Sequence, residues 1–175
     1  FNIADYHRKT GNARVFTYDT TTTTWTQLGG DIDGEAISDQ AAINVLSGDG
    51  TIVAIGAPYN DGVNGTDSGH VRVYQRDSNK TVAVTDQTSA SFGPVGWNRL
   101  GQDIDGYAAG DESGSSLSLS NDGFTVAIGA PKNDGTGTDS GHIRVYKYAS
   151  ATNVWTQFGL DIGGNSFGDQ FGSSV

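Results

Sequence analysis

An internal repeat constrains the fold of this chain more than any other feature of its sequence. Val-Ala-Ile-Gly-Ala-Pro occurs at 53–58 and again at 126–131, and both copies continue into Asn-Asp-Gly and then Thr-Asp-Ser-Gly-His. A second block, a tryptophan that precedes Asp-Ile at a fixed distance, begins at Trp25, Trp97 and Trp155. Self-similarity of this kind indicates supersecondary units that bury their apolar faces by stacking on one another.

The spacing of these blocks gives the length of the unit. The separation of Asp31 from Asp103 is greater than that of Asp103 from Asp161. We take the shorter separation, about 58 residues, as the basic unit of the repeat. The excess in the middle copy is assigned to an insertion within 75–96. Since this insertion alone breaks the repeat, it is where we expect a specific function.

Each unit is predicted to contain four β-strands. Period-two alternation or short apolar runs predict them near 51–56, 70–75, 115–120, 124–129, 142–148 and 153–159. Tight turns suit the 26 glycines, and no long window has the apolar spacing of a helix. The prediction is an all-β fold, a β-propeller segment of four-stranded antiparallel blades. A stacked β-solenoid is the alternative, although its repeats are usually shorter.

The repeat divides the chain into about three units, incomplete at both ends. We expect a partial blade (later strands) with its linker at 1–40, a blade with the insertion at 41–102, a complete blade at 103–160, and the first strand of a further blade at 161–175. An incomplete blade exposes unpaired strand edges and apolar faces. The expected partners are therefore other blades of the same chain or identical copies of it.

Further motifs resemble a known family. Gly-Ala-Pro stands at 56–58 and 129–131, and Phe-Gly-Ser-Ser-Val stands at 171–175 after Gly-Asp. In register with the other blocks, these motifs resemble the FG-GAP repeats of integrin-α-type propellers. The resemblance implies seven-bladed, extracellular or cell-surface propellers that serve adhesion and ligand recognition. It also implies calcium in a D-x-D-x-D-G loop, but that position holds only residues 47–50 and 120–123, with too few oxygens for six to eight ligands.

Two longer loops, 59–69 and 132–141, are the best candidates for binding calcium, which is the one cofactor that the sequence suggests. Both are rich in oxygen ligands and interrupted by glycine, as a site for a hard cation requires. The alternative is a pair of Asn-Asp-Gly turns held by side-chain capping. The candidate ligands are Asp61, Asn64, Asp67, Asp134 and Asp139, supported by Asn60, Thr66, Asn133 and Thr138.

Paired aspartates, Asp31 with Asp33 and Asp103 with Asp105, could perform acid–base chemistry of the glycosidase type. The motif recurs in every unit, however, and Gly163 replaces the second acid in the third unit. We therefore predict hydrogen bonds that link blades, assign no catalytic residue and expect no enzyme. The absence of cysteine excludes a thiol nucleophile.

Three further sets of residues have two interpretations each. Trp25, Trp97 and Trp155 could form a row for carbohydrate stacking, but their fixed position in the repeat favours packing. Arg72 and Arg144 are predicted to pair with aspartates on neighbouring strands. The threonine run could carry O-glycans or form a hairpin connection. The glycosylation candidates are Asn64 and Asn79, each in an Asn-x-Thr triplet, and Thr20, Thr21, Thr22, Thr23 and Thr24.

Charge and hydropathy narrow the range of functions. The net charge is −10, and nearly all of the acidic residues are aspartate. An acidic surface disfavours nucleic acid as a partner. No apolar run is long enough to span a bilayer, so we expect no membrane insertion. The sequence predicts a non-enzymatic extracellular module for adhesion or for surface or fibre structure. The alternative is a lectin-like propeller that binds a glycan or a protein, with calcium dependence.

Overall fold

A computed structural model describes residues 10–175, within which the secondary structure consists of fourteen β-strands. Residues 1–9, where the predicted partial blade 1–40 begins, lie outside the described residues. The first unit contributes two short antiparallel pairs. They are β1 (Asn12–Ala13) with β4 (Ile32–Asp33), and β2 (Phe16–Asp19) with β3 (Thr24–Gln27).

The second and third units have the same sheet topology, with four antiparallel strands in chain order. The second sheet contains β5 (Ile43–Leu46), β6 (Ile52–Ala57), β7 (His70–Arg76) and β8 (Trp97–Arg99). The third contains β10 (Ser116–Leu119), β11 (Thr125–Ala130), β12 (His142–Ala149) and β13 (Val154–Gln157). A two-residue strand adds to each third strand, β9 (Ile104–Asp105) to β7 and β14 (Ile162–Gly163) to β12.

The predicted strands are confirmed in order and position, and so is the all-β propeller segment of four-stranded antiparallel blades, to which the structure adds one unpredicted two-residue strand in each of the second and third sheets. Strand β6 shows why the units stack. Val53, Ile55 and Ala57 enter one hydrophobic core together with residues of the first unit, whereas Ile52 and Ala54 enter a second core shared with the third unit. Because side chains alternate across a strand, a continuous apolar run buries both faces only between two neighbours.

A tryptophan joins the second unit to the first and another joins the third unit to the second. The indole Nε1 of Trp97 donates to the carbonyl oxygen of Leu28 at 2.9 Å, and that of Trp155 donates to Leu100 at 2.8 Å. Trp97 is 0% and Trp155 3% exposed, so the packing interpretation is confirmed and these rings are closed to carbohydrate. Trp25, which has no preceding unit among the described residues, is 68% exposed and packs on Tyr18.

Glycine is required beside each buried indole. Gly29 and Gly101 have positive φ angles of 75° and 70°. A Cβ at Gly29 would lie 2.6 Å from the Trp97 Nε1 atom, and one at Gly101 would lie 2.7 Å from the Trp155 ring. The Trp and Leu-Gly parts of the repeated motif therefore fit one another across the boundary between units.

Candidate functional site

The same arginine–aspartate pair recurs in all three units. Each arginine lies on the third-strand segment and each aspartate directly precedes the two-residue strand that pairs with it. The pairs are Arg14 with Asp31, Arg72 with Asp103, and Arg144 with Asp161, and each arginine uses Nε and Nη2 at 2.6–2.9 Å. The predicted arginine partners are confirmed. Each bond joins two segments of the same sheet, because the short strand that follows the aspartate pairs with the segment that carries the arginine.

These contacts favour the ionised form of two of the repeated aspartates, Asp103 and Asp161. Burial opposes ionisation of Asp103, but hydrogen bonds and charge from Arg72 and Arg99 outweigh it and hold the pKa of this carboxyl below its usual range. Hydrogen bonding to Arg144 lowers the pKa of Asp161 in the same way. A carboxylate held in this manner is a poor proton donor at neutral pH.

Asp105 differs from Asp103. Burial and, secondly, the negative charge of Asp103 raise the pKa of Asp105 above its ordinary value. Burial also lowers the pKa values of His70 and His142, which favours neutral imidazole in both units. The two carboxylates of this pair thus have different environments.

The insertion covers the ion pair of the second unit. The Phe92 ring lies 5.5 Å from the guanidinium carbon of Arg72 and 4.9 Å from that of Arg99. The Gln87 side chain donates to Glu35 at 2.6 Å and accepts from Arg72 Nη2 at 3.4 Å, while its carbonyl accepts from Arg99 at 2.7 Å. Arg72 is therefore surrounded by carboxylates, an amide and an aromatic ring, and its side chain is only 6% exposed.

One group of side chains in residues 10–175 has the composition of a metal site. Ligand atoms of Glu35, His70 and Asp103 lie within 4.8 Å of one another. Arg72 Nη2, however, forms salt bridges with both carboxylates. The protein itself thus supplies the positive charge between them, and we interpret the group as a buried ion-pair network.

The corresponding region of the third unit is open. Tyr107 takes the place of Glu35, and the guanidinium carbon of Arg144 lies 4.9 Å from the centre of its ring. A cavity of about 440 Å³ adjoins this pair and is also lined by Asn133, Asp134 and Asp161. This unit has no insertion, so nothing corresponding to Gln87 or Phe92 covers Arg144 within the described part of the chain.

The predicted calcium ligands are distributed over two similar loops. Asp61 Oδ1 accepts a hydrogen bond from the Asp67 backbone at 3.0 Å, and Asp134 Oδ1 accepts one from Asp139 at 2.9 Å. Asn64 points elsewhere, because its side-chain nitrogen donates to the Gly106 carbonyl. These bonds are of the kind that the capped-turn interpretation requires. Calcium in loops 59–69 and 132–141 stays a prediction.

The remaining polar residues of these loops hold the turns in place. Asn60 donates to Asp39 at 3.1 Å, and Asn133 donates to Asp111 at 2.9 Å, both through buried side chains. In the tight turns that correspond to the family's calcium loop, Asp49 and Asp122 accept hydrogen bonds from neighbouring serine and backbone groups. With a single acid each, these turns do not fit the implied ion.

The glycosylation candidates are exposed side chains. Asn79 lies at the beginning of the insertion, and Asn64 lies in the loop between β6 and β7. Residues Thr20–Thr23 form the turn between β2 and β3, with Asp19 capping the backbone of Thr21, which confirms the hairpin interpretation. Glycan attachment at these positions stays a prediction.

Sequence reasoning did not identify Glu35, Gln87, Phe92 or Tyr107. Glu35 and Tyr107 occupy the same position of the repeat, directly after Asp-Ile-Asp-Gly. An alignment of the units would have shown that the residue at this position differs while the residues before it are repeated. The insertion itself was recognised as the place of difference, but its contacts have no periodic signal.

Comparison with known families agrees with the fold. Residues 105–146, from the end of β9 into β12, match the profile of the FG-GAP repeat. Residues 105–146 are thus similar to an FG-GAP repeat. The family resemblance seen in the sequence is therefore confirmed for this part of the third unit. The matched residues include Arg144, the arginine of the third ion pair. No curated protein matches the chain at a significant level. Within residues 10–175, no helix has the length and apolar character needed to cross a membrane.

Proposed function

We propose that this chain is a non-enzymatic extracellular repeat module that serves adhesion or surface structure by adding blade to blade. The observation that carries the proposal is the tryptophan contact, which occurs twice with the same geometry. A surface that joins successive units of one chain can also join units of different chains, because such contacts are heterologous and propagate.

Both halves of this contact are also exposed on the described surface. Trp25, the counterpart of Trp97, is 68% exposed. At the opposite end, Phe158 and Leu160 are 58% and 90% exposed, and a Cβ at Gly159 would have no atom within 4 Å. Exposed apolar surface of this kind marks interaction sites. One copy thus presents the tryptophan half of the contact, and another presents the half formed by Phe158 and Gly159, which correspond to Leu28 and Gly29.

The ion pairs support a role without catalysis. Three arginine–aspartate pairs repeat with the scaffold, and their carboxylates accept hydrogen bonds from fixed side chains. Acid–base catalysis needs groups whose pKa values suit proton transfer near the working pH. Asp103 and Asp161, with lowered pKa values, lack this property.

An extracellular location has two supports. FG-GAP repeats occur in extracellular and surface proteins, and both Asn-x-Thr triplets stand on exposed loops. A glycan attached to Asn79 would lie at the beginning of the insertion. Secretion of the chain from a eukaryotic host, followed by mass measurement before and after removal of N-glycans, tests this part of the proposal.

Sedimentation velocity tests the assembly. The wild-type chain is expected to sediment faster as its concentration rises. Trp25→Ala removes one half of the contact and Leu160→Asp the other, so each variant alone should remain monomeric. Mixed together, they should form a dimer of one copy each, because each variant retains the half that the other lacks.

A matched control is Val63→Asp, which places the same charge at a side chain that is 86% exposed in a loop away from the contact. This variant should associate like the wild type. A wild-type chain that stays monomeric at high micromolar concentration would refute the assembly, as would a mixture of the two face variants that does not dimerise.

A further inference from the structure

We propose that the cavity beside Tyr107 and Arg144 binds a neutral pyranose sugar. This inference goes beyond the proposed assembly and uses different residues, so either proposal can fail without the other. It rests on three observations: an exposed aromatic wall, fixed hydrogen-bonding groups opposite, and an arginine that is already paired with an aspartate.

The aromatic wall is Tyr107, which is 69% exposed. Arg144 lies over one face of the ring, with its guanidinium carbon 4.9 Å from the ring centre. This contact holds the ring in position and leaves most of its surface free. A flat apolar surface of this kind suits the C–H face of a pyranose, since aromatic rings bury large areas and retain a polar edge.

Hydrogen-bonding groups are fixed around the ring. Asn133 is buried and held by its bonds to Asp111 and to the backbone of Gly135, and both of these residues line the cavity. Asp134 is exposed, and its Oδ1 is oriented by the backbone of Asp139. The cavity volume of about 440 Å³ lies within the range usual for small-ligand sites. Such preformed acceptors suit a ligand rich in hydroxyl groups.

The charges of the lining disfavour anionic ligands. Asp161 is neutralised by Arg144, and Asp111 is 3% exposed and hydrogen-bonded. Among the described residues that line the cavity, Asp134 is then the one unneutralised acid facing solvent, and it repels phosphates and sugar acids. A cationic ligand at the Tyr107 ring would lie close to the guanidinium of Arg144, which already makes a cation–π contact with this ring, and the two positive charges would repel each other. A neutral polyhydroxyl ligand meets neither obstacle.

The second unit provides an internal control. At the equivalent position Glu35 replaces the aromatic ring, and the Gln87 amide bonds to both Glu35 and Arg72. The insertion thus supplies from within the chain the hydrogen bonds that a ligand would make in the third unit. Phe92, the aromatic ring beside the second pair, is occupied by Arg72 and Arg99 and packs against the first core, so the second unit should not bind sugar.

Saturation-transfer NMR and calorimetry with the methyl pyranosides of glucose, galactose and mannose test the site. At least one glycoside should bind the wild-type chain. Tyr107→Phe retains the ring and should bind within about threefold of wild type, whereas Tyr107→Ala should weaken binding about tenfold or more. Tyr18→Ala is the matched control, because it removes another exposed tyrosine ring far along the chain and should leave binding unchanged.

Three results would overturn the proposal. The first is an absence of binding by all three glycosides at millimolar concentration. The second is binding that Tyr107→Ala leaves unchanged while thermal unfolding shows that the variant is folded. The third is that the wild-type chain binds a charged compound more tightly than any neutral glycoside. The charged compounds are Nα-acetyl-lysine amide, which is a cation, and methyl glucuronide, which is an anion.

Discussion

The second and third units contain the same ion pair in different surroundings. The Arg72 side chain is 6% exposed and Asp103 22%, whereas Arg144 is 15% and Asp161 39% exposed. The difference comes from the insertion, which places Gln87 and Phe92 over the second pair only. In this repeat the pair belongs to the scaffold, and the connecting segments decide whether the surface beside it is closed or open.

The largest expected effect distinguishes the two arginines. Arg72→Met leaves the carboxylates of Glu35 and Asp103 in a poorly solvated site, and we expect a loss of about 3–5 kcal/mol in the free energy of unfolding. Arg144→Met, the matched variant, should cost about 1 kcal/mol, since its aspartate reaches solvent. Urea unfolding measures both values. Equal losses would show that the insertion does not alter the environment of the pair.

A smaller effect comes from the insertion itself. Phe92 packs against the first hydrophobic core and lies over both arginine side chains. Phe92→Ala should therefore reduce the free energy of unfolding by about 1–2 kcal/mol, less than for a fully buried ring.

Phe158→Ala is the control for this change, because Phe158 is 58% exposed and lies over Lys147 alone among the described cations. Its expected cost is below about 1 kcal/mol. Denaturant unfolding of both variants gives the comparison, and an equal or larger loss for Phe158→Ala would contradict the covering role of the insertion.

The next prediction concerns the second acid, which the third unit lacks. The raised pKa of Asp105 means that the folded chain holds this proton more tightly than the unfolded chain. Its ionised form therefore reduces stability at neutral pH, and Asp105→Asn should be stabilising there. The gain should shrink as the pH falls through the raised pKa and vanish below the ordinary value for aspartate.

Asp161→Asn should show the opposite sign. The lowered pKa of Asp161 gives stability above the ordinary aspartate pKa, and this stability is lost as the pH falls through the lowered value. The variant should be destabilised at neutral pH and should approach the wild type in acid. Thermal unfolding from acidic to neutral pH follows both differences. The same sign for both variants would contradict this account.

The smallest effect is expected in the loops. Any calcium that binds should bind in loops 59–69 and 132–141, because the tight turns at Asp49 and Asp122 have too few oxygens. Calorimetric titration should then lose its signal in the double variant Asp61→Ala with Asp134→Ala, and keep it in Asp49→Ala. The reverse pattern would place the ion in the tight turns.

Most of the scaffold could be predicted from the sequence because the same strand and turn patterns occur in more than one unit. The short apolar runs predicted the strands that became β6 and β11, and the fixed position of the tryptophans in the repeat predicted their packing. The two-residue strands such as β9, which bring each aspartate onto the sheet of its arginine, were not predicted because they are too short to recognise. Glu35 and Gln87 escaped prediction because their bond depends on how the insertion folds, and it has no regular strand pattern.

The most direct test of the account is hydrogen exchange of the three indole N–H groups, measured by NMR first at low and then at rising protein concentration. Contact between units requires Trp97 and Trp155 to donate to buried carbonyls, so their exchange should be slow and close to that of the core. Trp25 should exchange rapidly and become protected as the chain associates. Rapid exchange at Trp97 or Trp155, or exchange at Trp25 that does not slow with concentration, would contradict the packing of blade on blade through these tryptophans.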